Sequence, residues 1–414
     1  MTTTSTTTPL AASEGDAARW AAQIRALVIL VIARVPVILW GSPGAGKTSI
    51  VEWIAQRVAC AWHTSIAALN EPPEYGGYPS PVGAVDGVPA HVAQLPVGWV
   101  LRLARAAESD EQRRPAVLFL DELSNGAPAT RAAAMRGVLD GIWGEHRIPR
   151  LAVVAASNPE EQSESGYRFS AALANRFCHV QWALPALVWA EAYGEAFAGG
   201  LDDSLIPSVT EEAITRAEEE RVRPVLAAFA HFRPDLFSGA VPEDQDAQSG
   251  PWASPRTWTM ASRALAVALA AGEDVAGTAC RIILRGLVGE GPQRALLDYW
   301  QALDLPDPEA LLKDPSAVRW PARGDQAFAI LQSVSAAARR DLTEPRWVAA
   351  WQVFGSAASN GRAAFAASAV RGLAKAGREK WGARVRLVPE LDHFAALLAA
   401  MGGLGATTTT GARR

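Results

Sequence analysis

Cysteine is scarce in this 414-residue chain, and its three copies, Cys60, Cys178 and Cys280, are odd in number and far apart. That excludes a disulfide-stapled scaffold and points to a reducing compartment, with core packing as the default role of each thiol. The Cys178-His179 pair has no companions at ligand spacing, so no metal site is expected there. Long apolar runs are missing too. The longest, Ala26 to Ala33, is bracketed by Arg25 and Arg34 and is too short to span a bilayer. Met1 to Thr8 is threonine-rich and lacks the charged-then-apolar profile of a secretory leader, so a cytoplasmic location is expected. Nor does charge of one sign dominate: 39 basic against 43 acidic side chains leave a net charge of −4, which gives no global field for nucleic acid. A local basic groove stays open, and no fixed-period repeat is visible.

What the chain does have is apolar content, 49% of residues, ample for two or three domains. The first apolar strand pattern, Pro36-Val37-Ile38-Leu39-Trp40, runs into Gly41-Ser42-Pro43-Gly44-Ala45-Gly46-Lys47-Thr48 and then into an amphipathic stretch. Strand, glycine-rich turn and helix in that order read as a phosphate loop. The glycines let successive backbone N–H groups turn toward a polyphosphate, and the helix beginning near Lys47 adds the positive end of its dipole. Gly41 through Ser49 is therefore the candidate nucleotide cradle. Lys47 is placed to reach the β- and γ-phosphates, and the Thr48 hydroxyl to ligate Mg²⁺.

Further short apolar runs follow at His63 to Ala67, Ala116 to Leu120, Leu151 to Ala156 and Phe177 to Trp182, separated by helical patterns at Thr48 to Ala59, Val97 to Ala107, Pro128 to Leu139 and Ser170 to Asn175. This alternation predicts an α/β fold, a parallel sheet with helices on both faces. A helix over Ala17 to Arg34 leads into it. Beyond Pro185 the strand signals fade into alanine-rich helical spacing, notably Thr210 to Ala230 and Thr257 to Ala271. A last helical region runs from Gly324 to Leu398, with Ala327, Ile330, Leu331, Val334 and Ala338 on one face, and Trp347, Trp351 and Phe354 on another. The expected division is a tail over 1–16, a nucleotide-binding core over 17–184, a helical lid over 185–320, a C-terminal helical region over 321–401 and a tail over 402–414. Glu71 to Gly98, with six prolines and five glycines, reads as a structured insertion, functional or merely solvated.

Four polar positions extend the phosphate loop. Val117 to Leu120 ends in Asp121-Glu122. After a phosphate loop, such a pair holds Mg²⁺ through Asp121, by way of water, and polarises the attacking water through Glu122; capping of the next helix is the alternative. Val153 to Ser157 ends in Asn158-Pro159, and parallel strands would bring Asn158 beside the acidic pair, although Asn-Pro is also a common turn. Arg176, after a short helix, can satisfy that helix's carbonyls. Arg256, at a helix start in Ser254-Pro255-Arg256, sits where the dipole disfavours it and calls for an anion, either a phosphate or a carboxylate.

GSPGAGKT, VLFLDELSN, AASNP, ALANRF and ASPR, in this order between Ala17 and Trp300, resemble the AAA+ ATPases and within them the MoxR-like, helix-2-insert clade. That resemblance implies an AAA+ core with a helical lid, ATP and Mg²⁺ as ligands, Asp121 and Glu122 as the Walker B pair and Asn158 as sensor 1. It also implies that Arg176 is an arginine finger given to a neighbouring subunit, and Arg256 the sensor 2 residue. The working unit is then a ring, usually a hexamer, that remodels or matures a protein client, in this family often a von Willebrand factor A-type protein. Tyr75 or Tyr78 of the insertion would face that client, and Gly144 to Pro149 would form the clade's second hairpin. A nucleic-acid motor or nuclease-partner NTPase is the alternative, against which the near-neutral charge weighs. A nucleotide-gated scaffold with little turnover is the third reading.

Overall fold

In the computed structural model the described residues are 9–84, 89–159, 168–186, 188–190, 201–303 and 305–400. The expected tail over 402–414 lies outside them. The expected N-terminal tail is shorter than 1–16, because helix α1 spans Pro9–Ile32. Proline is well tolerated in a first helical turn, and the alanines after it carry the best helix propensity, so the helix starts ahead of Ala17.

Strand β1 (Val37–Trp40), helix α2 (Lys47–Val58), β2 (Ala61–Ile66), the short α3 (Pro72–Gly76), hairpin strands β3 (Tyr78–Val82) and β4 (His91–Leu95), α4 (Gly98–Ser109), β5 (Ala116–Asp121), α5 (Pro128–Asp140), β6 (Ile142–Trp143), β7 (His146–Arg147), β8 (Leu151–Ser157), α6 (Ala171–Ala174) and β9 (Cys178–Gln181) follow in order. Five of the strands form one parallel sheet in the order β2-β5-β8-β1-β9. The register pairs Trp40 with Ser157 on one side and Gln181 on the other, and Ile66 with Asp121, so all five carboxyl ends lie on one edge. Alternation sorts the side chains to two faces. Ile38, Leu118, Leu120, Val153 and Ala155 join Trp99, Leu103 and Val138 of α4 and α5. Val117 and Val154 meet Leu27 and Val31 of α1 and Val51 and Ile54 of α2 on the other face.

The proline-rich insertion folds as α3 and the antiparallel β3–β4 hairpin, its tip at 85–88 lying outside the described residues. The two-stranded β6–β7 ladder, turning at Gly144-Glu145, is a second hairpin. Tyr75 is a correction to the expected client-facing pair. It is 1% exposed, its ring lies 5.6 Å from Trp143, and its hydroxyl meets Ser65 Oγ at 3.0 Å, so burial removes it from any surface. Tyr78 is 45% exposed and donates to Glu74.

Contacts group the chain into two units that cut across the expected three-part division. One takes the described residues up to Val209 with Phe237–Arg294, the other Thr210–Leu236 with the described residues from Ala295 onward. In the first, α7 (Gln245–Ser249), α8 (Pro255–Ala270) and α9 (Thr278–Val288) follow the sheet in the chain; α8 and α9 pack on α1, and α9 also on β9, so the helices expected to form a separate lid share the core of the sheet. The second unit is helical throughout its described residues. Its first helical stretch, 211–232, contains a π-helical turn at Glu218–Val222, and helices Gly324–Arg340, Glu344–Ser359 and Ala363–Trp381 bury the predicted apolar faces, with Trp347, Trp351 and Phe354 fully enclosed. Arg340 bridges Glu220 at 2.6 Å and Glu309 at 2.9 Å, and Arg346 adds a second contact to Glu309 at 2.7 Å.

Candidate active site at the strand ends

The turn after β1 owes its shape to three glycines. Gly44 and Gly46 sit at φ +74°, the left-handed region that side chains disfavour. At Gly41 a Cβ would come within 2.5 Å of the Trp182 carbonyl oxygen, so only glycine fits there. Gly46 is also the N-cap of α2 and provides no side-chain cap. The first amides of the helix therefore remain open at the cleft, where they can receive an anion.

Around this turn lies a cleft of about 350 Å³ lined by Pro43 to Ser49, Asp121, Glu122, Ala156, Ser157 and Asn158. Its residues come from the ends of β1, β5 and β8, which the parallel register sets side by side. Lys47 Nζ donates to Gly41 O at 2.6 Å, Ser42 O at 3.0 Å and Asn158 Oδ1 at 3.1 Å. Burial lowers the Lys47 pKa, while the carboxylates of Asp121 and Glu122 pull in the opposite direction. Exchanging a carbonyl partner for a phosphate oxygen would give this ammonium a charged acceptor, the stronger kind of hydrogen bond.

Thr48 Oγ1 donates to Asp121 Oδ2 at 3.1 Å. Two hard oxygen donors this close, beside open helix amides, fit Mg²⁺ held jointly by protein and phosphate. Glu122 follows at φ +53°, a left-handed backbone unusual for a side-chain-bearing residue, and its amide donates to Asp121 Oδ1 at 2.9 Å. The tight turn separates the two carboxylates in role: Asp121 faces Thr48, and Glu122 lines the cleft. Ser157, which the sequence did not single out, accepts from the Ser124 amide at 3.1 Å and ties the residues after Glu122 to the end of β8.

The structure does not bring Arg176 and Arg256 into this cleft. Arg176 Nη1 donates to Ala172 O at 2.5 Å, satisfying its own short helix. Arg256 Nη1 reaches Asn175 Oδ1 at 3.3 Å. That same oxygen accepts from Ser254 Oγ at 2.9 Å, and Ser254 closes a capping box with Thr257 at the start of α8. The two guanidinium groups are thus neighbours. Burial, and then the Arg256 charge, lower the Arg176 pKa, with Asp140 opposing. Neither arginine forms an ion pair among the described residues, so the anion that the Arg256 position calls for is not a carboxylate of this chain. Asn175, the hinge of this cluster, carried no signal beyond its place beside Arg176.

His179 has a structural role. Trp40 Nε1 donates to its Nδ1 at 3.0 Å and its Nε2 lies 2.9 Å from Ala174 O, a pairing that suits the neutral ring. Burial pushes its pKa down to about 4, the Ala174 carbonyl opposing. Cys178 is fully buried, its thiol meeting Ile283 O at 3.5 Å.

No helix among the described residues is long and apolar enough to cross a membrane. No curated protein matches the chain. A crystal structure of a presumptive ATPase from Cytophaga hutchinsonii aligns with 72% of this chain and 99% of its own at 14% identity, with a TM-score of 0.41, a likeness on which nothing below rests. Residues 37–177, which hold the phosphate loop, the acidic strand end and Asn158, match the family described as ATPase family associated with various cellular activities (AAA). The five-stranded parallel sheet and the cleft at its edge are accordingly an AAA ATPase domain.

Proposed function

We propose that this protein hydrolyses ATP at the cleft and that its working form is a ring, in which each nucleotide is completed by the next subunit. The observation that carries the reading is the separation of two half-sites on one chain: a cleft holding Lys47, Thr48, Asp121, Glu122 and Asn158, and a guanidinium pair, Arg176 and Arg256, outside it. The loop amides and Lys47 hold the β- and γ-phosphates. Thr48 and Asp121 would hold Mg²⁺, which when bound neutralises the charge that develops on the phosphate oxygens. Glu122 polarises the attacking water, and Asn158, already tied to Lys47, orients that water or the γ-phosphate. The two arginines, on this reading, face the γ-phosphate of the adjacent subunit, where a positive charge supplied in trans raises turnover by about 10³–10⁵.

The use of such a ring is chaperone-like, of the MoxR type: ATP turnover drives remodelling or maturation of a protein client in the cytoplasm. The β3–β4 hairpin, with Tyr78, Val92 and Leu95 exposed, offers apolar groups to that client.

Mixing tests the composite site directly. Lys47→Ala and Arg176→Ala proteins are each expected to be nearly inactive, and a mixture of the two to regain turnover, because some interfaces pair an intact cleft with an intact arginine. If the mixture stays as inactive as its components while both variants co-assemble, the reading in trans is wrong. Capture by Glu122→Gln protein in ATP, followed by identification of what co-purifies, tests the client.

A further inference from the structure

Trp182, the first residue after β9, lies under the phosphate loop and touches it in three ways. Its backbone amide donates to Trp40 O at 2.7 Å, and its carbonyl is the group that forbids a side chain at Gly41. Its indole Nε1 donates to Ala45 O at 3.1 Å. The ring is 2% exposed and is backed by Trp20 of α1, with centroids 4.6 Å apart.

The indole bond matters because of peptide geometry. In a planar trans peptide the C=O and the following N–H point in opposite directions. An Ala45 carbonyl turned inward to Trp182 therefore turns the Gly46 N–H outward. Gly46 lines the cleft, and no acceptor among the described residues takes its amide. Its φ of +74° adds to the case: a glycine in this conformation has few steric restraints on flipping the adjoining peptide, so something must fix the plane. Within reach of the Ala45 carbonyl, the indole is the group that does so.

We infer that Trp182 is a positioning residue for nucleotide binding: its indole N–H locks the Ala45–Gly46 peptide so that the Gly46 amide is presented to the phosphates. The inference rests on the proposed ATP site and concerns how that site is pre-organised. It predicts a specific loss. Without the donor, the peptide samples both orientations, binding must select one, and affinity falls while the chemical step in the bound complex is preserved.

The test compares wild type with Trp182→Phe and with β-(3-benzothienyl)alanine installed at position 182, which keeps the bicyclic ring and replaces only the N–H by sulfur. Both replacements are expected to raise the KM for MgATP and the Kd for MgADP about fivefold to tenfold, the scale of one lost hydrogen bond, with kcat within about twofold of wild type. The benzothienyl protein guards against a packing defect in the phenylalanine variant. Wild-type KM and Kd in the folded benzothienyl protein would overturn the role of Trp182, as would a fall in kcat with KM unchanged. A wild-type protein that binds neither MgATP nor MgADP would instead remove the nucleotide reading itself, and this inference with it.

Discussion

The sheet-bearing unit and the C-terminal helical unit bury their interiors with similar side chains but differ in where they place polar groups. In the first, strand ends gather Lys47, Thr48, Asp121, Glu122 and Asn158 at one edge, with left-handed backbone at Gly46 and Glu122. In the second, the polar investment is the Glu220–Arg340–Glu309–Arg346 network, which joins helices to each other and is spent internally. One unit leaves donors unpaired by its own chain; the other pairs them. That contrast predicts that substitutions in the first will change chemistry ahead of stability, and in the second stability ahead of chemistry.

The sharpest way to break the contrast is Glu122→Gln. Turnover is expected to fall by about a thousandfold with MgATP still bound, and thermal stability to be little changed; ordinary turnover would remove Glu122 from catalysis. Trp351→Ala is the counterpart. Enclosed by Trp347, Phe354 and Phe394, its loss should cost about 4 kcal/mol in denaturant unfolding of the helical unit, while MgADP affinity holds. His179 gives a pH-dependent effect in the sheet unit. With a folded pKa of about 4 against 6.5 for the free side chain, the unfolded chain binds the extra proton between those values. The stability contribution is fully present above pH 6.5 and is lost as pH falls toward 4, about 3 kcal/mol in all. His179→Gln should flatten that part of the stability profile. Smaller still, Tyr75→Phe forfeits the hydroxyl contacts to Ser65 and Asn70, about 1 kcal/mol, seen as a modest shift in denaturation midpoint.

The same contrast explains what could be read in advance. The phosphate loop was legible because its chemistry demands contiguous residues: a turn of this tightness needs glycine at fixed places. Asp121, Glu122 and Asn158 were legible because strands advertise themselves by apolar runs and parallel pairing puts their ends together. The pairing of Arg176 with Arg256 was not, since it depends on Asn175 and Ser254 meeting across distant parts of the chain. Trp182 gave no signal, because an indole under a loop looks in sequence like any core tryptophan. Tyr75 and Tyr78 could not be told apart within a segment too rich in proline to show a period. In the helical unit, spacing located helices and their buried faces, but apolar spacing carries no chemistry. The placement of Pro255–Ala270 and Thr278–Val288 with the sheet, by contrast, rests on tertiary contacts with α1 and β9 that local pattern does not encode.

The backbone at Glu122 has one more consequence. A residue with a side chain at φ +53° is held in a conformation that glycine adopts freely, at a cost of about 1 kcal/mol. Glu122→Gly should therefore fold at least as well as wild type, and somewhat better if relief of the strain exceeds the extra freedom glycine gives the unfolded chain. A selection for heat resistance alone would drift toward glycine there and discard the enzyme, so the strained carboxylate marks a position where endurance and turnover pull apart.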